Sequence, residues 1–176
     1  MTREQLEHVI RAAASVTNEH SFVVLGSQSV LLPHPDAHPD LLVSREVDLY
    51  PALAPEKSDL IDGALGALSQ FDETFGYYAD GVGPETAVMP ADWMDRAALY
   101  YIGSATAVCP DMHDIAVSKC VAGREKDARF VHVLLREGVI TLATLIDRIG
   151  MLDANAHPVV AIQAWARRRD PQAQQP

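Results

Sequence analysis

The stretch Phe22-Val23-Val24-Leu25-Gly26-Ser27, taken with Ser44-Arg45-Glu46-Val47-Asp48-Leu49-Tyr50-Pro51, decides the fold of this chain. Each contains a short apolar run next to a turn-forming residue, the pattern of a buried strand. The first run ends in Gly26-Ser27, and Gln28-Ser29-Val30-Leu31-Leu32 is expected to continue from it as a helix. Gly26 permits an unusual backbone angle or a close approach, and Ser27 is placed to cap that helix. A helix N-terminus presents unpaired N–H groups and the positive end of its dipole, so this turn is a natural anion site. The second run carries two carboxylates separated by one residue. On a strand, Glu46 and Asp48 point to the same face. Two acidic groups on one face of an apolar strand repel each other and cost desolvation energy. A divalent cation is the simplest compensation.

Outward from this pair the chain alternates element types. Residues 3–19 place Leu6, Val9, Ile10, Ala13 and Val16 on one helical face, with Thr2 and Gln5 spaced as a capping box. Three prolines exclude regular structure from Pro33-His34-Pro35-Asp36-Ala37-His38-Pro39-Asp40, which reads as a solvated loop near the carboxylates. Residues 56–68 read as a helix with Leu60, Ile61, Ala64, Leu65 and Leu68 on one face. Residues 71–89 read as two strands joined at Gly81-Val82-Gly83-Pro84, and 97–102 with 105–109 as a strand pair around Gly103-Ser104. The character then changes. Residues 111–122, 124–136, 141–150 and 157–169 read as four helices, with Asp111 and Asp114 spaced like a capping box. The order predicts an α+β fold, a mixed sheet with flanking helices. Its expected organisation is an α/β core over 1–110, a helical region over 111–170 packed on it, and an unstructured tail over 171–176.

Composition sets limits on function. The chain has 176 residues, 14 Lys and Arg, and 24 Asp and Glu, giving a net charge of −10. That balance argues against broad, charge-driven nucleic-acid binding, while leaving room for a nucleotide or an RNA end at one local basic patch. Cys109 and Cys120 have no neighbouring cysteine partners and read as buried thiols in a reducing compartment. No apolar run approaches the length of a membrane span, and the N-terminus lacks a signal-peptide apolar region, so a cytoplasmic protein is expected.

The Gly-Ser turn followed by a strand bearing Glu46-Val47-Asp48-Leu49-Tyr50 resembles the nucleotidyltransferase superfamily with the polymerase-beta-like core. A second stretch, His113-Asp114-Ile115-Ala116-Val117-Ser118-Lys119-Cys120-Val121-Ala122-Gly123-Arg124-Glu125-Lys126-Asp127, resembles the helical motif of AbiEii-type and related bacterial nucleotidyltransferases. Without the upstream motif, its charges would read as a solvated helix face with i,i+4 pairs. The resemblance implies a nucleotidyltransferase-like sheet and a Mg²⁺-dependent reaction. It implies that Gly26 and Ser27 hold the phosphates of an NTP and that Glu46 and Asp48 bind the metal, one carboxylate also helping to deprotonate the attacking hydroxyl. Lys119 would sit near the phosphates or the pyrophosphate, and Arg124, Lys126 and Asp127 would shape the nucleotide or acceptor side. Three departures stand out. Glu46 occupies a position where Asp is more usual, the interval from Ser27 to Glu46 is long, and a third carboxylate is not marked by a motif. Asp80 is the choice for it and Glu85 the competitor.

The expected function is transfer of a nucleoside monophosphate from an NTP to a hydroxyl on an RNA end, a protein or a small molecule. The AbiEii resemblance adds a role as the toxin half of a toxin–antitoxin pair, with a cognate antitoxin as partner. Two rivals stand beside it: a catalytically silent binding module of the same fold, motivated by Glu46 and the unmarked third carboxylate, and a metal-dependent nuclease.

Overall fold

The structure, a computed structural model, describes residues 1–171. Residues 172–176, most of the expected tail, lie outside the described residues. The chain divides into two compact units. One comprises Met1–Thr86 and Ala97–Pro110, the other Ala87–Arg96 and the chain from Asp111 onward.

The first unit is built on one mixed sheet. Its strands are β1 (Ser21–Leu25), β2 (Glu46–Pro51), β3 (Tyr78–Gly81), β4 (Ala98–Ile102) and β5 (Ala105–Cys109). They lie in the order β3-β2-β1-β5-β4. β1 runs antiparallel to β2 and parallel to β5, β2 runs parallel to β3, and β4 is antiparallel to β5. Helix α1 (Arg3–Thr17) begins with the expected capping box and buries Leu6, Val9, Ile10 and Ala13 completely. Helix α2 (Ser58–Leu65) packs against β3 so closely that a Cβ on Gly81 would stand 2.0 Å from the Ser58 carbonyl oxygen. Strand alternation puts Gly81, Leu49, Phe22, Ala107 and Tyr100 on one face of the sheet. Both helices lie on that face, because the Arg3 guanidinium also rests 5.5 Å from the centre of the Tyr100 ring. The opposite face carries Glu46, Asp48, Tyr78 and Asp80.

Three expectations for this unit need correction, the α-helix expected after Gly26 among them. The helix read over 56–68 stops at Leu65, where Gly66 turns extended and donates to the Asp62 carbonyl. Only Ile61 and Leu65 of its apolar set are buried, while Leu60 and Leu68 are exposed. The two strands read over 71–89 are replaced by a helix and one strand. Helix α3 (Gln70–Phe75) is capped by Ser69 and ended by Gly76 in the left-handed conformation. Phe71 and Phe75, four apart, stack with each other and with His8 and Tyr77. Between β3 and β4 the chain forms only 3₁₀ turns, at Pro84–Thr86 and Trp93–Arg96.

The second unit is helical, with α4 (Met112–Ala122), α5 (Glu125–Arg136), α6 (Leu142–Gly150) and α7 (Val159–Arg167). Helix α4 packs against the other three and buries Met112, Ile115, Ala116, Val117 and Cys120. The expected Asp111–Asp114 capping box does not form. Asp111 accepts from the His113 N–H at 2.9 Å, while Asp114 is fully buried and takes a two-pronged hydrogen bond from Arg96. No helix among the described residues is long and apolar enough to cross a membrane.

Candidate active site

The alternation that defines a strand places the carboxylates. Glu46 and Asp48 share one face of β2, with Val47 and Leu49 buried on the other. Strand β3 runs beside β2 in parallel register, setting Tyr78 next to Glu46 and Asp80 next to Asp48. Adjacent strands lie about 4.8 Å apart, so three carboxylates share one small patch of sheet. On the other side of β2, Leu25 pairs with Asp48, and the chain turns at Gly26. Gly26 has φ +71° and ψ −168°, a conformation essentially reserved for glycine. A Cβ there would meet the Asp48 Oδ2 at 2.6 Å. The glycine therefore serves both the turn and the seat of the Asp48 carboxylate. Gly26→Ala should destabilise the protein by about 1–3 kcal/mol and dislodge that carboxylate, which a melting curve and a transfer assay would detect together.

The electrostatics fit a cluster of like charges. The Asp80 carboxyl is pushed up to about 6, first by desolvation and then by the negative charges of Asp48, Glu46 and Asp62. Asp62, on α2, was not picked out from the sequence; only the packing of α2 on β3 brings its charge to bear. A carboxyl raised in the folded state favours folding at low pH, and that contribution is lost as pH rises through its folded pKa. Stability of the metal-free protein should thus fall between about pH 4 and pH 6. Asp80→Asn should flatten this slope and raise the melting temperature at pH 7, as thermal denaturation at pH 4, 6 and 7 would read.

Tyr78 is the other side chain that the sequence reading missed. Its hydroxyl donates to Glu46 Oε2 at 3.0 Å. Burial, with Glu46 beside it, pushes the phenol up to about 12, so it remains a donor at any ordinary pH. The signal was available, since a strand that presents Asp80 must present Tyr78 on the same face. Glu85, the competitor of Asp80, is exposed in the 3₁₀ turn beyond β3, and its charge acts on Tyr50.

The anion-site expectation at Gly26-Ser27 changes in kind. The segment after Gly26 is a five-residue 3₁₀ helix, Ser27–Leu31, whose N-cap position is Gly26 rather than the expected Ser27, so no side chain caps it. So short an element has little dipole to offer. Ser29 Oγ instead donates to the Gly26 carbonyl at 2.8 Å, bracing the turn.

The remaining expected residues belong to the helical unit. Asp127 is 2% exposed; Arg124 holds it through Nε at 2.6 Å, and the Lys119 ammonium lies 3.8 Å away. Lys126 is exposed. Burial pushes the Cys120 thiol up to about 12, which suits a core residue.

Among the described residues, no three His, Cys, Asp or Glu side chains are already gathered at metal-holding geometry. In kind, however, the donors fit a hard divalent cation: Glu46, Asp48 and Asp80 offer only carboxylate oxygens, from adjacent strands and on one face. A family model described as "Nucleotidyltransferase of unknown function (DUF6036)" matches residues 4–156, most of the chain. No curated protein and no solved structure matches the chain.

Proposed function

The chain belongs to the family of nucleotidyltransferases of unknown function (DUF6036), and from that premise we propose that it moves a nucleoside monophosphate from an NTP to a hydroxyl acceptor at the β2–β3 carboxylates. The observation that carries this reading is the parallel register of Asp48 with Asp80, beside Glu46 on the same face. Glu46 and Asp48 would hold Mg²⁺, which when bound supplies charge stabilisation at the transferring phosphoryl group. The acceptor oxygen attacks the α-phosphorus, the bond from that phosphorus to the β-phosphate bridging oxygen breaks, and pyrophosphate leaves. Asp80 takes the acceptor's proton. A carboxyl poised near 6 is suited to that task at neutral pH. Gly26 seats Asp48 and, with Ser27, gives the NTP phosphates a backbone surface beside the carboxylates.

The acceptor class is an RNA end, a protein side chain or a small molecule, and the reaction is assigned to the cytoplasm. The narrower role of toxin paired with an antitoxin rests on the AbiEii-type resemblance of 113–127 alone. In the same reading Lys119, Arg124, Lys126 and Asp127 serve the nucleotide or acceptor, although the ion pairs of Asp127 give Lys119 and Arg124 a structural task as well. One observation favours a catalytically silent module instead: the carboxylates are not gathered into a ready three-ligand group.

The experiment that separates these is incubation of the protein with each α-labelled NTP, Mg²⁺, total RNA and protein acceptors. Label transferred to one acceptor class supports the reading and identifies the base. Absence of transfer, with acceptors shown competent by another enzyme, favours the silent module. Cleavage of nucleic acid without NTP would identify a nuclease.

A further inference from the structure

We propose that Tyr78 is a positioning residue that tethers Glu46 in the geometry needed to ligate the cation, an inference resting on the reading of the carboxylates as a metal site. The argument starts from an oddity of the sequence. Glu46 has one more rotatable bond than the aspartate usual in such strands, and a freely rotating carboxylate is a poor ligand because binding must freeze it. The structure supplies a restraint. Tyr78 lies directly beside Glu46 in the β2–β3 register, and its hydroxyl donates to Oε2 at 3.0 Å. Only one carboxylate oxygen is engaged. Oε1 accepts no side-chain hydrogen bond among the described residues, which leaves it to a cation.

The tether is itself anchored. The Tyr78 N–H donates to the Arg45 carbonyl at 3.1 Å, and the Arg45 guanidinium carbon stands 5.9 Å from the centre of the Tyr78 ring. Arg45 in turn donates to Asp72 Oδ1 at 2.9 Å, and Asp72 is largely buried in the first turn of α3. The series Asp72, Arg45, Tyr78, Glu46 thus links α3 to the carboxylate face. Hydrogen-bond partners behind a ligand commonly govern both its orientation and its affinity for metal.

The test is Mn²⁺ binding to the nucleotide-free full chain, measured by electron paramagnetic resonance titration, for wild type, Tyr78→Phe, Glu46→Asp, the double variant and Asp48→Asn. Tyr78→Phe keeps the ring beneath Arg45 and removes only the hydroxyl. It is expected to weaken Mn²⁺ binding by about 10–100-fold while the melting temperature without metal stays at the wild-type value. Glu46→Asp is too short to reach the hydroxyl, so adding Tyr78→Phe to it should change affinity no further. Equal affinity in Tyr78→Phe and wild type, or an equal loss in the Glu46→Asp background, overturns the tether. If Asp48→Asn abolishes binding while Tyr78→Phe retains it, the tether fails and the metal site stands. If wild type binds no Mn²⁺, both fail.

Discussion

Asp48→Asn is expected to lower nucleotidyl transfer by about 10³-fold, a loss of roughly 4 kcal/mol in transition-state stabilisation, with no loss of fold. The two halves of this expectation have separate causes. Asn has nearly the shape of Asp, so the contact with Gly26 and the pairing of β2 with β1 and β3 persist. What disappears is a negative charge at the centre of the carboxylate patch, between Glu46 on its own strand and Asp80 on the next. A neutral amide oxygen is a much weaker ligand for a hard divalent cation than a carboxylate. The same loss relieves repulsion on Asp80, whose carboxyl is held up in part by Asp48. The melting temperature of the metal-free variant should therefore equal or exceed that of wild type at neutral pH. Label transfer from α-labelled NTP, read beside a thermal melt, checks both halves. A variant that folds normally and turns over at the wild-type rate would remove Asp48 from the chemistry and with it the proposed site.

How much of this was legible in the sequence depended on the range of the interactions involved. Glu46 and Asp48 were legible because strand alternation is local: an apolar run with acids at alternate positions can put them only on one face. Gly26 was legible because few residues tolerate its backbone angle, although its second task, making room for Asp48, required the β1–β2 register. Asp80 was placed on an extended run, but its pairing with Asp48 across parallel strands is non-local and no spacing rule fixes it. Helix α3 is hidden in the sequence because Phe71, Phe75, Tyr77 and Tyr78 together give the composition of an aromatic strand. Ser69 as a cap, Gly76 as a stop and the four-residue spacing of the two phenylalanines mark a helix up to Phe75 and a strand only from Tyr78. The element after Gly26 is a 3₁₀ turn rather than an α-helix, a distinction that apolar residues in succession do not make. Charge was also less informative as a total than as a distribution. The sheet unit holds 14 Asp and Glu against 4 Lys and Arg, and the helical unit 10 against 10, so the net −10 belongs to the sheet unit. The argument against broad nucleic-acid binding therefore applies to the sheet unit, where the carboxylates lie.

The largest loss of stability is expected from Arg96→Met. Arg96 ends the 3₁₀ turn Trp93–Arg96, and its guanidinium grips Asp114 with Nε at 2.9 Å from Oδ2 and Nη2 at 3.1 Å from Oδ1. A third prong reaches Asp92 at 2.6 Å. Asp114 is 0% exposed in the first turn of α4, the helix against which α5, α6 and α7 pack. Methionine can occupy the aliphatic volume of the arginine but supplies no donor. The buried carboxylate then loses its only side-chain hydrogen-bond donor among the described residues. Removing one partner of a buried ion pair costs about 3–5 kcal/mol, because the charge left behind is neither solvated nor compensated. A surface pair would cost about 1 kcal/mol or less, so the size of the loss reports burial. Urea unfolding followed by far-ultraviolet circular dichroism would measure it. The double variant Arg96→Met, Asp114→Leu separates the two contributions. Replacing both charges with apolar groups removes the stranded carboxylate and should recover most of the stability, leaving the lost N-terminal acid of α4 as a remainder of about 0.3–1 kcal/mol. Recovery in the double variant would assign the loss to an uncompensated charge. A single variant with wild-type stability would mean that Asp114 finds water or another donor, and that the tie between Arg96 and α4 is not what holds the helical unit together.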